Sequence, residues 1–211
     1  MALFVFGAGA TRACSFVDPQ KNPCIPPLDS DFFTQLQRVR NEKHQDLLNK
    51  VIRDVVILFG TNFSVTLETV FATLEHTIRM LRTTGDTRSF KRNDLTGMRD
   101  RLLQAIAVVL EESLGAHVLT DHPDRSHYEC DHHARMVNET MKSKDDIISF
   151  NYDCTIDFAL KNHGSGKWNP RYGYGFELGP RGSNLTGDKF WSPVKPTEKD
   201  KTIRLLTTIC G

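Results

Sequence analysis

Two short stretches of the chain combine residue types that can do chemistry. In the first, Gly7-Ala8-Gly9-Ala10-Thr11 follows the apolar run Ala2-Leu3-Phe4-Val5-Phe6 without a break. Glycines at such a turn can take backbone angles closed to residues with a Cβ, and they let the phosphates of a ligand approach the main chain. A helix starting near Ala10 or Thr11 would aim its free N–H groups and its positive dipole end at the same anion. The simpler reading is a tight strand-to-helix turn. In the second stretch, Asn151-Tyr152-Asp153 closes another short apolar run, Ile147-Ile148-Ser149-Phe150. Asn151 can donate and accept hydrogen bonds to a ribose or an attacking water, and Asp153 can accept from hydroxyls or cap the following helix.

A third stretch invites a metal reading. His122, His127, Cys130, His132 and His133 stand among Asp121, Asp124 and Asp131. Zinc needs three or four converging side chains, usually from paired short spacings, and His127, Cys130 and Asp131 can share a helical face that His122 approaches from a loop. The spacing fits no defined zinc pattern, however, and the run reads more simply as a polar, exposed helix ending at 142–146. The five cysteines, Cys14, Cys24, Cys130, Cys154 and Cys210, form no CxxC pair. They point to reduced thiols, with neither a disulfide framework nor a four-cysteine zinc site.

Both chemistry-bearing stretches need rigid elements beneath them. A continuous apolar run predicts a parallel strand covered on both faces, so residues 2–6 and 147–150 read as two such strands, and ligands gather at the carboxyl ends of strands in open α/β sheets. Residues 16–30 hold four prolines and no period. They predict a loop, stiffened at Pro26-Pro27, that either overhangs the first strand and covers a nucleotide or merely leads to the next helix, with Asp29 or Ser30 as its cap. Helical periodicity follows at Phe32, Phe33, Leu36 and Val39, then at 47–58 up to Gly60, at 67–81 after a start at Ser64 or Thr66, and at 95–114 up to Gly115. A plain doubly wound sheet alternates strands and helices more often than this. The expectation is therefore an α/β fold, a Rossmann-like parallel sheet with a large helical insertion (about 31–145) after the first strand. A helix over 154–160, a Gly- and Pro-rich loop over 163–200 and a strand at 202–206 complete the reading.

Composition sets limits. The chain has 211 residues, enough for one moderate domain, and its 27 Lys plus Arg balance 26 Asp plus Glu. A formal net charge of +1 gives no bulk attraction to nucleic acid or to an anionic membrane. The N-terminal apolar run is too short for a signal peptide and lacks a basic leader, which predicts a cytoplasmic protein.

Taken together, LFVFGAGAT, the proline-bearing loop ending in PPLDSDFF, and IISFNYDCTIDFAL resemble the sirtuin-like domains of bacterial anti-phage defence proteins, relatives of NAD-dependent protein deacylases. The similarity spans most of the chain, read as a single domain over 1–211. The resemblance implies that Gly7, Ala8, Gly9, Ala10, Thr11 and the loop at Pro27 hold NAD, that Asn151 is catalytic, and that Tyr152 and Asp153 lie beside the nicotinamide ribose, with Asp153 joining Asn151 in catalysis. NAD would be substrate, and no metal is expected.

The family's deacylases carry a four-cysteine zinc module that this sequence lacks, which disfavours protein deacylation and favours NAD cleavage by water, as in abortive infection. The family's His-Gly pair after the next strand has no counterpart where Thr202–Leu206 leads into 207–211. His163-Gly164 offers a substitute, though a helix-end His before Gly is usually a cap. The resemblance thus implies a C-terminally truncated or altered member, either an NAD hydrolase or a catalytically impaired assembly subunit. It further implies a homo-oligomer and a partner such as a DNA-translocase-type ATPase or an Argonaute-like protein.

Overall fold

A computed structural model describes residues 1–87, 90–115, 129–151, 153–169, 173–174, 176–178, 191–193 and 202–207. In chain order its main elements are β1 (Leu3–Phe6), α1 (Ala8–Arg12), α2 (Phe32–Leu36), α3 (Gln45–Phe59), α4 (Leu67–Thr84), α5 (Arg92–Gly115), α6 (Asp131–Arg135), β2 (Asp146–Ser149), α7 (Thr155–His163), β3 (Phe176–Leu178), β4 (Trp191–Pro193) and β5 (Arg204–Thr207). The fold is mixed α/β. Two compact units divide it, Met1–Phe16 with Leu119–Gly211, and Val17–Val118.

The first unit is built on an open parallel sheet in the order β1-β2-β5, with Leu3 opposite Asp146 and Asp146 opposite Arg204. Side chains alternate across a strand, and Phe6, Ile147 and Leu205 all point into one core. Val137, Ile156 and Leu160, from the helical segments after α5 and β2, fill that core from the same side. The expectation of strands covered on both faces does not hold for β1. Leu3 and Val5 are 58% and 60% exposed, because the described helices of this unit cover only the Phe6 face. Asp146 and Arg204 meet in a bidentate ion pair across β2 and β5. Within the stretch expected to be a loop, β3 and β4 pair antiparallel.

The second unit is helical. Val51 and Val55 on α3, Leu74 and Ile78 on α4, and Leu102 and Val109 on α5 are buried in one cluster, as the 3.6-residue period requires. The ends of these helices follow local chemistry. Thr66 accepts from Thr69 N to cap α4, while Gly60 (φ 85°) and Gly85 (φ 80°) close α3 and α4 in a conformation that costs glycine little. The guanidinium of Arg101 on α5 grips Asp54 on α3 at 2.7 and 3.0 Å.

The proline-bearing loop is pinned within this helical unit. Asn22 Nδ2 donates to Glu112 O, and buried Gln35 accepts from Ile25 N. Asp29 does not cap the helix that directly follows it. Its carboxylate accepts from Glu68 N at the start of α4, and Asp31 instead accepts from Leu28 N.

The stretch at 117–141 also departs from expectation. Residues 116–128 lie outside the described set, so His122, His127, Asp121 and Asp124 are not placed. From Cys130 onward the helix is not an exposed polar one. Cys130, His133, Val137 and Met141 are all buried, three or four residues apart from the N-cap of α6 to the end of the π-helical turn Met136–Thr140 that extends it. A core face that includes a histidine and a cysteine is easily read as polar.

Candidate functional site

The two chemistry-bearing stretches meet at the carboxyl edge of the sheet. Parallel pairing of Phe6 with Ser149 sets the ends of β1 and β2 side by side, and Phe150 N donates to Phe6 O at 2.9 Å. Each strand then turns directly into its next segment. Gly7 is the N-cap of α1, and Asn151 and Asp153 lead to α7.

Gly7 lies at φ −125° and ψ −178°, ordinary extended backbone, and Gly9 is helical without a positive φ. The expectation that these glycines are there for their backbone freedom is therefore corrected. A Cβ at either position would meet nothing within 4 Å, so the space beside both is open. The helix also begins earlier than expected, at Ala8. Ala10 N–H closes onto Gly7 O at 2.8 Å, leaving the N–H groups of Ala8 and Gly9 as donors that a helix start does not satisfy internally. Gly7, Ala8 and Gly9 are exposed and Ala10 is half-buried.

Thr11 is buried and joins the two halves. Its hydroxyl donates to Asp153 Oδ2 at 2.6 Å and accepts from Asn151 Nδ2 at 2.9 Å. A hydroxyl carries one proton, so donation to a carboxylate obliges it to accept from the asparagine. That fixes which end of the Asn151 amide faces Thr11. The other end, Oδ1, is buried without a hydrogen-bond partner.

Asp153 is fully engaged. Besides Thr11, its Oδ1 accepts from Thr155 N at 2.9 Å and from Thr155 Oγ1. It therefore opens α7 and orients Thr11 at once, combining the two roles read from the sequence. Tyr152 lies outside the described residues. Pro27 is half-buried and belongs to the helical unit, in the segment leading to the 3-10 turn Asp29–Asp31.

His163 stands elsewhere. It ends α7, about 12 Å along the axis from Thr155 at 1.5 Å per residue. There its Nε2 meets Glu129 and its Nδ1 meets Asn138. The geometry does not bring it to Asn151.

A further cluster was not legible from spacing. Cys14, just beyond α1, joins Cys130 and His133 at the start of α6, and the three ligating atoms lie within 4.8 Å of one another. A hydrogen bond with Cys130 and burial push the Cys14 thiol up, while the same hydrogen bond holds Cys130 below the ordinary thiol range. Cys14 is more than a hundred positions from Cys130 and His133, a separation that no local pattern can show.

The chain matches no family model, and no curated protein is significantly similar to it.

Proposed function

We propose that this chain is a sirtuin-like, Rossmann-type NAD-binding domain that hydrolyses NAD to nicotinamide and ADP-ribose in anti-phage defence, with the helices between β1 and β2 as an insertion in that fold. The observation that carries the reading is the unpartnered, buried Oδ1 of Asn151 at the carboxyl edge of the sheet. A buried acceptor left unmade costs about 1–3 kcal/mol, and a ribose hydroxyl or a water positioned for attack would satisfy it. The open space beside Gly7 and Gly9 leaves room for pyrophosphate to approach the main chain.

In the proposed reaction the bond between nicotinamide and ribose C1′ breaks as nicotinamide takes the electron pair. The ribose passes through an oxocarbenium-like state, water adds its oxygen at C1′, and a proton leaves to solvent. Asn151 touches the ribose or the water. Asp153 holds Thr11, Thr11 holds Asn151, and the fixed amide costs no reorganisation as the reaction proceeds.

Release of nicotinamide by the purified chain, beside Asn151→Ala, tests this reading. Turnover that falls about a hundredfold in the variant is expected, a size typical of losing one oriented polar group. Turnover equal in both proteins would remove Asn151 from the chemistry.

The placement of His163 favours a second reading, an assembly subunit that keeps the fold and binds NAD without cleaving it. Binding heat with NAD and no nicotinamide release would select it. Under either reading the domain works in the cytoplasm as a homo-oligomer with a partner such as a DNA-translocase-type ATPase or an Argonaute-like protein. Among the described residues no helix is long and apolar enough to cross a membrane.

A further inference from the structure

We infer that Cys14, Cys130 and His133 form a zinc site that braces α1 against α6. The three side chains are 4%, 1% and 7% exposed, and their ligating atoms converge within 4.8 Å. A tetrahedral zinc with bonds of 2.0–2.3 Å wants its ligand atoms roughly 3.3–3.8 Å apart, so closure needs a shift of about 1 Å, within reach of side-chain adjustment. A second observation points to a ligand. His133 Nδ1 is buried without a hydrogen-bond partner, in a ring held edge-on by Phe6.

The local structure presents the ligands in a fixed way. Cys130 is the N-cap of α6 and His133 lies in its first turn, a CxxH spacing that sets both at one helix end. Asp131 N donates to Ser15 Oγ at 2.9 Å, which ties that end to the residue after Cys14. Two thiolates and one imidazole are a soft donor set suited to zinc. Charge also balances. Zn²⁺ displaces one proton from each thiol, and the two thiolates with the dication leave a neutral centre, whereas one buried thiolate alone would be an uncompensated charge. The three side chains leave one coordination position for a water.

The site stands apart from the NAD reading, since it braces the segment after α1 whether or not the sheet edge does chemistry. Zinc content of the reduced chain, purified without a metal-affinity tag and dialysed against zinc, gives the first measure. About one zinc per chain is expected, as for a single site of three protein ligands and a water. Cys14→Ser, Cys130→Ser and His133→Ala should each lose most of it, and Cys154→Ser, at the exposed cysteine, should lose none.

A readout on the unaltered chain keeps the test open should the variants fail to fold. Alkylation followed by mass spectrometry should find Cys14 and Cys130 protected with zinc and labelled after chelation, with Cys154 labelled throughout. No zinc retained after dialysis would overturn the site. So would Cys14 and Cys130 labelling equally with and without zinc, or a Cys14–Cys130 disulfide in the freshly purified chain.

Discussion

Asn151 Nδ2 donates to Thr11 Oγ1 across 140 positions of sequence, and together with the bond from Thr11 to Asp153 it joins the helix after β1 to the turn after β2. Because Thr11 spends its proton on Asp153, the asparagine has one orientation and presents Oδ1 as its free end. The candidate site is thus a chain of three side chains in which the last, Asn151, keeps a buried oxygen without a partner.

Thr11→Val removes the hydroxyl and keeps the shape. Asp153 Oδ2 and Asn151 Nδ2 both lose a partner, so the variant should be less stable by about 2 kcal/mol, and nicotinamide release should fall at least about tenfold. Thr11→Ser should restore most of both. Urea unfolding and turnover measured on the same samples check this, and a fully active Thr11→Val would show that the relay does not orient Asn151.

Gly9→Ala separates the fold from the ligand. The added Cβ meets nothing within 4 Å, and alanine is the better helix former by about 1 kcal/mol. Stability should hold or rise slightly. If pyrophosphate lies against this turn, the methyl group intrudes on it, and NAD affinity measured by calorimetry should fall about tenfold or more, the 1.4 kcal/mol step of a lost close contact. Unchanged affinity would place the phosphates elsewhere.

Gly164→Ala makes the opposite case. There a Cβ would stand 2.4 Å from Leu160 O and 2.9 Å from Trp168 Cβ, at the close of α7. Overpacking of this kind costs about 1–3 kcal/mol, and a lowered denaturant midpoint should report it.

Asp145 supplies a pH dependence. Its carboxyl is held below the ordinary carboxylate range by Ala2 N–H, then by Lys142 N–H, against the cost of burial. A group depressed in the folded state contributes its full stability above the unfolded value, about 3.9, and loses it as pH falls through the folded value. Asp145→Asn should therefore cost about 1.5–3 kcal/mol at neutral pH, the worth of hydrogen bonds to a charged group. Unfolding measured at neutral pH and again in acid should show the gap between the two proteins close. A constant gap would assign the effect to shape alone.

The helices at α3, α4 and α5 were legible in the sequence because apolar period and end signals agree: Thr66 stands where the pattern of α4 begins, and Gly60 and Gly85 stand where those of α3 and α4 stop. The two strand-end turns were legible for a similar reason, as glycine or asparagine follows a short apolar run. What could not be read was anything set by distant partners. The pattern of β1 is the same whether one face is covered or two, and only packing shows that Leu3 and Val5 remain exposed. The role of Thr11 depends on residues far along the chain, and so does the place of Cys14 beside His133. Asp29 had the right type for a helix cap, yet it serves α4 instead of α2.

The pairing of Leu3 with Asp146 has a consequence for synthesis. Parallel seams between segments so far apart reward the chain only after a long loop has closed, whereas the contacts of α3, α4 and α5 lie closer together in sequence. At about 5–20 residues per second, β1 emerges on the order of ten seconds before its neighbour exists. During that interval Leu3-Phe4-Val5-Phe6 is a sticky, unpaired strand on a nascent polypeptide, and helpers that shield such segments at the ribosome have a natural client in it.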